Sequence, residues 1–223
     1  MEKLVIFDLD GTLLNTIADL GTAANHTLGE LGLPQHTLDE YRLMVGNGMR
    51  KLIMRALPHE KASDDTFVDS TLTAFLAYYA DHIDVFTKPY PGIPELINAL
   101  STRGYKLAVA SNKIQAGAEK LIEKFFPGIP FVAVMGNSPL YPLKPDAAVV
   151  EYIIDKAGTD RAHTVMVGDS GTDIQTARNA GIPIIAVSWG FRPRHELISA
   201  DYIADSTDAL GSFLFASLQR LPG

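Results

Sequence analysis

Cysteine is absent from this chain of 223 residues, which excludes disulfide bonds, thiolate metal sites and a cysteine nucleophile. Basic clusters are lacking too, and 19 Lys and Arg against 26 Asp and Glu give a net charge of −7. This balance argues against a nucleic-acid partner and against an anionic membrane surface. The six histidines are scattered without metal-ligand spacing, so we assign them no role.

Long apolar runs are also missing. No run approaches the length that crosses a bilayer, and the first residues predict a strand rather than a signal peptide. We therefore expect a cytoplasmic protein with no membrane partner, either a monomer or a homodimer. The hydrophobic fraction of 47% predicts a sizeable core, and the length allows a core domain with a smaller insertion.

The segment 16–84 has helical periodicity and no convincing strand. Leu20 and Leu28 belong to an apolar series with helical spacing. Thr37 and Glu40 have the spacing of a capping box, which opens a further helix. We therefore predict that residues 16–84 form a small helical bundle of their own.

After a stiff connector at Lys88–Gly92, short apolar strands alternate with helices. The predicted strands, after a first one at Leu4–Phe7, are Lys106–Ala110, Phe131–Val134, Thr164–Val167, Ile184–Val187 and Tyr202–Ala204. The predicted helices are Ile93–Ser101, Ile114–Phe125, Ala147–Ala157, Ile174–Ala180 and Thr207–Leu218. This alternation predicts an α/β fold whose parallel sheet is covered by helices on both faces. Residues 1–15 and 85–223 would form a Rossmann-like three-layer core, with the bundle inserted after the first strand and a two-stranded hinge at Asn15 and Lys88.

Polar side chains follow four of the predicted strands. Because the carboxyl ends of parallel strands share one edge of the sheet, these side chains should meet there. They are Asp8 and Asp10, Ser111 and Asn112, Lys144, and Asp169 and Asp173. Their convergence is a stronger indication of a site than any one of these motifs.

The junction after the first strand carries the strongest signal. Asp8 and Asp10 lie two residues apart at the end of a buried strand, where their charges repel unless a cation is present. Gly11 suits a tight turn, and Thr12 offers a hydroxyl to an anion. Asp10 and Gly11 alone would indicate only a turn. Together the four residues predict Mg²⁺-assisted chemistry on a phosphate, with one carboxylate as nucleophile.

The other positions have ordinary explanations as well. Asp169 could belong to a plain strand-to-helix turn with Asp173 as a helix N-cap, and Ser111 could cap the next helix. The Ser111 hydroxyl and free amides at a helix start would equally bind a phosphate. Lys144 could be a solvated loop residue. A functional role for Lys144 is nevertheless favoured, because a pocket with four carboxylates and a phosphate needs a fixed cation beyond the metal.

These residues resemble the four motifs of the haloacid dehalogenase-like hydrolase superfamily, in the same order. The matching segments are Asp8-x-Asp10-Gly11-Thr12, Ser111-Asn112, Lys144-Pro145 and Gly168-Asp169-x-x-x-Asp173. The insertion is similar to the α-helical cap of one subgroup. Val45–Gly48, Pro89–Gly92 and Val167–Ser170 resemble segments of the phosphoglycolate phosphatase family. Asn15 departs from that pattern, since Asp is common there, and we expect a local effect at the hinge.

The resemblance implies a role for each motif residue. Asp8 would be the nucleophile and Asp10 the general acid and base. Mg²⁺ would be bound by Asp8, by the main-chain carbonyl of Asp10 and by Asp169, with Asp173 behind them. The phosphate oxygens would be held by Thr12, Ser111, Asn112 and Lys144.

Within the predicted cap, Gly48 and Arg50 are the leading candidates for contact with the substrate. A glycine-rich turn that starts a helix offers free amides, and an arginine can pair with a carboxylate. The alternative is an ordinary helix start with solvated cations. The loop Trp189–Arg194 lies at the active edge too, where a surface loop is favoured over a pocket rim.

The predicted function is hydrolysis of a small-molecule phosphate monoester, phosphoglycolate first, through an aspartyl-phosphate. A pyrophosphatase, a sugar-phosphate phosphatase or a phosphomutase of the same superfamily are the alternatives. A catalytically silent sensor of a phosphorylated metabolite is the non-enzyme alternative. The presence of both Asp8 and Asp10 argues against a sensor.

Overall fold

The computed structural model describes residues 2–217 and is built around one six-stranded sheet. In chain order the strands are β1 Leu4–Phe7, β2 Leu14–Asn15, β3 Lys88–Pro89, β4 Lys106–Ile114, β5 Phe131–Asn137, β6 Thr164–Gly168, β7 Ile184–Val187 and β8 Tyr202–Ala204. The helices are α1 Ile17–Glu30, α2 Leu38–Met44, α3 Met49–Ala56, α4 His59–Ala62, α5 Asp65–His82, α6 Ile93–Thr102, α7 Gln115–Phe125, α8 Ala148–Ala157, α9 Gly171–Ala180 and α10 Thr207–Ser217.

The main sheet has the order β5-β4-β1-β6-β7-β8, and all its pairs are parallel. Alternate side chains of β1 enter two separate apolar layers. Val5 and Phe7 pack into one of them, and Leu4 and Ile6 into the other. Both faces are therefore covered, which confirms the predicted α/β, Rossmann-like core.

Helices α1 to α5 form an insertion between β2 and β3, and they pack on one another. The chain enters and leaves this helical insertion side by side, because β2 and β3 pair as an antiparallel ribbon. Asp19 of α1 reinforces the junction by accepting bonds from the main-chain nitrogens of Phe86 and Thr87 and from the Thr87 hydroxyl. The predicted capping box is present at α2, where Thr37 and Glu40 exchange hydrogen bonds.

Several element ends differ from the predictions because local hydrogen bonds extend the elements. Strand β4 continues to Ile114 instead of ending at Ala110. Helix α9 begins at Gly171 rather than Ile174, because Ser170 and Asp173 form a capping box there. The predicted end of the last helix, Leu218, lies outside the described residues.

The topology decides where a site can form. Strand β1 lies between β4 and β6, so the carboxyl ends of these three strands are adjacent at one edge of the sheet. Over residues 2–217, no helix combines the length and the apolar character that a membrane crossing would need.

Candidate active site

Six of the seven polar residues predicted to meet at the strand ends, all except Asp173, line one cavity at the carboxyl edge of the sheet. The core supplies one side of it, here called the floor: Asp8, Asp10, Ser111, Asn112, Lys113, Lys144, Asp169 and Ser170. The helical insertion supplies the opposite side, here called the roof: Leu20, Val45, Gly46, Gly48, Met49 and Leu52. The cavity thus lies between the core and the helical insertion.

Lys144 joins two carboxylates of the floor. Its Nζ lies 2.9 Å from Oδ1 of Asp8 and 2.6 Å from Oδ1 of Asp173. Burial acts to lower the pKa of Lys144, but the two carboxylates outweigh it and raise that pKa. The second oxygen of Asp173 accepts bonds from the main-chain nitrogen and the hydroxyl of Ser170. Asp173 is thereby fixed by the start of α9, and it holds Lys144 against Asp8.

Asp169 occupies a space that two glycines leave open. A Cβ at Gly11, which has φ of +89°, would lie 2.3 Å from the Asp169 carboxylate, and one at Gly190 would lie 2.2 Å from the Asp169 Cβ. The carboxylate accepts a bond of 2.7 Å from the main-chain nitrogen of Phe191 and one of 3.4 Å from the Thr12 hydroxyl. The glycines are needed here because any other side chain would displace this acid.

Lys144 alone does not balance the charges of Asp8, Asp169 and Asp173. Burial raises the pKa of Asp8 to about 7; Lys144 opposes the rise, while the neighbouring Asp173 and Asp10 add to it. The pKa of Asp169 is raised well above its usual range, first by burial and then by Asp173 and Asp8. Oxygens of Asp8, Asp169 and Asp173 lie within 4.8 Å of one another, as ligands of one metal ion would. These three carboxylates form a buried acidic cluster that can hold a metal ion.

Lys113 is a floor residue that the sequence analysis missed. The side chain is fully buried, and its Nζ lies 3.0 Å from Oδ1 of Asp10 and 2.6 Å from the hydroxyl of Tyr79 in α5. Burial acts to lower its pKa, yet Asp10 and Tyr79 reverse this and raise the pKa. The available signal was a lysine at the end of a buried strand, which needs an acidic partner nearby.

Ser111 and Asn112 both line the cavity, and their side chains also serve the main chain around it. The Asn112 amide accepts from the nitrogen of Lys144 and donates to its oxygen, at 2.9 and 3.1 Å, and also donates to the carbonyl of Gly46 at 3.3 Å. The Ser111 hydroxyl accepts a bond from the nitrogen of Lys113. Pairing of β4 with β5 is interrupted over this stretch, between Ala110 and Ile114. The Asn112 side chain thus ties the Lys144 loop to the roof.

The structure places two of the predicted substrate contacts away from the cavity lining. The Thr12 side chain is fully buried and its hydroxyl donates to Asp169, so it is directed to that acid and is not part of the cavity wall. Arg50 does not line the cavity either. Its Nε and NH2 pair with Asp69 and Asp65 at 2.7 and 2.6 Å, because these two acids stand one turn apart on the neighbouring α5. Gly48, by contrast, lines the roof as predicted.

The loop after β7 forms part of the cavity wall, which corrects the preference for a surface loop. Phe191 and Arg192 both line the cavity. The Arg192 guanidinium donates to the carbonyls of Leu43 and Val45, at 2.9 and 2.7 Å, at the end of α2. This core side chain therefore holds the roof segment in place.

A second link connects the roof segment to α9. Asn47 donates to the hydroxyl of Thr172 at 3.0 Å and accepts a bond of 2.8 Å from Arg55. Arg55 also donates to the carbonyl of Met44. The segment between α2 and α3 is thus fixed from both the core and the insertion.

Known proteins match this chain over most of its length. Residues 5–187 match the family model described as haloacid dehalogenase-like hydrolase. The chain is 39% identical over 221 residues to a phosphoglycolate phosphatase of Agrobacterium fabrum, covering 98% of this chain and 94% of that protein. It is 36% identical over 220 residues to a phosphoglycolate phosphatase of Rhodospirillum rubrum, covering 96% and 91%.

The fold has solved counterparts as well. A crystal structure from Lactobacillus delbrueckii subsp. bulgaricus superposes with a TM-score of 0.88 at 34% identity, covering 95% of this chain and 98% of that one. The family match spans most of the chain, and the relatives are similar over nearly their whole length. These similarities indicate a phosphoric monoester hydrolase, and the chain belongs to the haloacid dehalogenase-like hydrolases.

Proposed function

We propose that this protein is a Mg²⁺-dependent phosphatase that hydrolyses phosphoglycolate through an aspartyl-phosphate on Asp8. The observation that supports this proposal most strongly is the environment of Asp8. Its carboxylate ends the central strand, contacts the buried Lys144 at 2.9 Å and shares its space with Asp169 and Asp173. A nucleophile beside a fixed cation and a potential metal site is the arrangement that phosphoryl transfer requires.

The residues of the acidic cluster fit a magnesium ion. Mg²⁺ prefers carboxylate and carbonyl oxygens. Asp8 and Asp169 would supply two such oxygens, and the carbonyl of Asp10 a third. Asp173 already accepts from Lys144 and from Ser170, so it would orient Lys144 from behind the ligands. When bound, the ion would offset negative charge on the phosphate oxygens.

In the first step, an oxygen of Asp8 attacks phosphorus, and the bond between phosphorus and the ester oxygen breaks. Asp10 gives a proton to the departing oxygen, which leaves as an alcohol. Lys144 and Ser111, which line the floor, offset charge on the phosphoryl oxygens as the transition state forms. The product of this step is an aspartyl-phosphate on Asp8.

In the second step, water attacks the phosphorus of the aspartyl-phosphate. Asp10 now takes the proton that the water loses, and the Asp8 carboxylate is released together with inorganic phosphate. Lys113 holds the Asp10 carboxylate at 3.0 Å in this structure, which suits the base that this step needs. Two displacements replace one difficult hydrolysis.

The comparisons support phosphoglycolate as the substrate. The relatives of highest identity reported above are named phosphoglycolate phosphatases, and they are similar over more than nine tenths of their length.

The helical insertion, over residues 16–84, acts in this proposal as a cap. It closes the cavity from above, and its two crossings to the core lie side by side in the β2–β3 ribbon. A lid of this kind excludes water until the substrate is bound and selects the leaving group.

The test is a panel of phosphate esters with and without Mg²⁺. We expect kcat/KM for phosphoglycolate to exceed that for pyrophosphate and for hexose phosphates, and we expect activity to vanish with a chelator. A preference for pyrophosphate or a hexose phosphate would replace the proposed substrate with one of the alternatives. Binding of phosphoglycolate without any hydrolysis would instead indicate a sensor.

A further inference from the structure

Among residues 2–217, three basic side chains line the cavity, and they differ in what they contact. Lys144 is held between two carboxylates of the floor. Arg192 gives both terminal nitrogens to main-chain carbonyls at the roof. Lys113 contacts Asp10. The proposed general acid therefore has its own cation.

The Lys113 ammonium keeps one donor for a ligand. An ammonium has three N–H groups. Within the described chain, Nζ contacts both Asp10 oxygens, at 3.0 and 3.4 Å, which one N–H can share, and the Tyr79 hydroxyl at 2.6 Å. The side chain is fully buried, and the Tyr79 ring lies 4.8 Å from Nζ. The ammonium is thus fixed in position at the wall of the cavity, with one N–H beyond the two that these contacts use.

Phosphoglycolate has the geometry to reach that donor. Asp10 must lie within about 3 Å of the ester oxygen that it protonates. A single methylene group separates this oxygen from the substrate's carboxylate. Lys113 contacts the same Asp10 carboxylate, so a carboxylate attached there comes within its reach, while the phosphoryl oxygens face Lys144.

We propose that Lys113 binds the carboxylate of the substrate and makes the enzyme selective for phosphate esters of short 2-hydroxy acids. This inference rests on the proposed function and names the residue that sets its specificity. An ester without the carboxylate leaves a donor of the buried Lys113 ammonium unpaired, which lowers kcat/KM for that ester. In this proposal, the contact with a substrate carboxylate that the sequence suggested for Arg50 is made by Lys113 of the core.

The decisive variant is Lys113→Met, which keeps the length of the side chain and removes its charge. The quantity to measure is the ratio of kcat/KM for phosphoglycolate to that for ethyl phosphate, which lacks the carboxylate. We expect this ratio to fall roughly 10- to 100-fold, as for loss of a charge-assisted hydrogen bond. Arg50→Met is the matched control, because it removes a cation from the exposed Asp65 and Asp69 pairs and should leave the ratio unchanged.

A second variant gives an answer even where Lys113→Met does not fold. Tyr79→Phe keeps the charge and removes the hydroxyl that orients the ammonium. We expect it to lower the same ratio several-fold, through a higher KM for phosphoglycolate.

Two results would separate the failure of this inference from that of the proposed function. Equal losses on both esters in Lys113→Met, or an unchanged ratio in Tyr79→Phe, would mean that Lys113 acts only by orienting Asp10. A wild-type enzyme that shows no preference for phosphoglycolate over ethyl phosphate would instead refute the proposed substrate.

Discussion

The floor and the roof of the cavity differ in what they offer a ligand. The floor presents buried or half-buried charged groups, each with partners in the core: Asp8 with Lys144, Asp10 with Lys113, and Asp169 with the Phe191 nitrogen. The roof presents apolar side chains and glycine main chain from residues 45–52. In the proposed function, the chemistry on phosphorus therefore belongs to the core, and the insertion contributes shape. We expect the charged groups that select the substrate to be core residues near the roof.

Removing the nucleophile should have the largest effect on activity. It changes the chemistry of the floor and leaves the structure of the roof unaltered. Asp8→Asn keeps the size of the side chain but cannot attack phosphorus. We expect kcat to fall by at least about 10⁴-fold on every phosphate ester. Steady-state assays with phosphoglycolate and an aryl phosphate check this, with circular dichroism to confirm folding. Substantial activity in the folded variant would refute the assignment of Asp8.

Removing the fixed cation of the floor should have the next largest effect. Lys144→Met takes away the charge that offsets phosphoryl oxygens, and we expect kcat to fall by about 10²- to 10³-fold. Lys124→Met is the control, because Lys124 pairs with Asp84 on the surface and its loss should change kcat less than twofold. A similar kcat in both variants would show that Lys144 has no role in the transition state.

The raised pKa of Asp8 predicts that stabilisation of the fold by Mg²⁺ depends on pH. The pKa of Asp8 is about 7 in the folded chain against a usual value of 3.8, so the folded state holds this proton more tightly. Without metal, the resulting stabilisation is complete below 3.8 and is lost as the pH rises through about 7. Mg²⁺ competes with that proton.

Thermal unfolding at two pH values measures this competition. We expect saturation with Mg²⁺ to raise Tm by at least about 3 °C more at pH 8 than at pH 5. Asp8→Asn should reduce the difference, since its side chain does not titrate. An equal metal effect at both pH values would contradict the acidic cluster as the metal site.

The smallest effect is expected at the link between the core and the roof. Arg192→Ala removes the two hydrogen bonds that hold the carbonyls of Leu43 and Val45. We expect KM for phosphoglycolate to rise roughly 3- to 10-fold with a smaller change in kcat. Arg194→Ala, which loses only a surface pair with Asp205, should change neither constant. A fall in kcat at unchanged KM would place Arg192 in the floor instead.

The sequence predicted the floor far better than the roof, for a physical reason. The floor residues Asp8, Ser111, Lys144 and Asp169 follow strands or lie in the loops after them, and a parallel sheet brings strand ends together whatever the loops do. Their positions could thus be predicted from topology alone. The order of strands and helices could be predicted for the same reason, with errors confined to element ends.

The missed residues act across the interface between core and insertion. Lys113 is held by a hydrogen bond to Tyr79 of α5, and Arg192 by hydrogen bonds to carbonyls at the end of α2. Arg50 is withdrawn from the cavity by Asp65 and Asp69, which follow it in the chain by more than ten residues. The partners of such long side chains become neighbours only in the folded structure. Periodicity and spacing in the sequence therefore do not reveal these contacts.

The central claim is that Asp8 becomes phosphorylated, and chemical trapping tests it most directly. The enzyme is mixed with phosphoglycolate and Mg²⁺, quenched within the first turnover and treated with borohydride, which reduces an aspartyl-phosphate to homoserine. Peptide mass spectrometry then locates the change. The account predicts homoserine at position 8, dependent on substrate and absent from Asp8→Asn; reduction at a different residue, or none during active turnover, would contradict it.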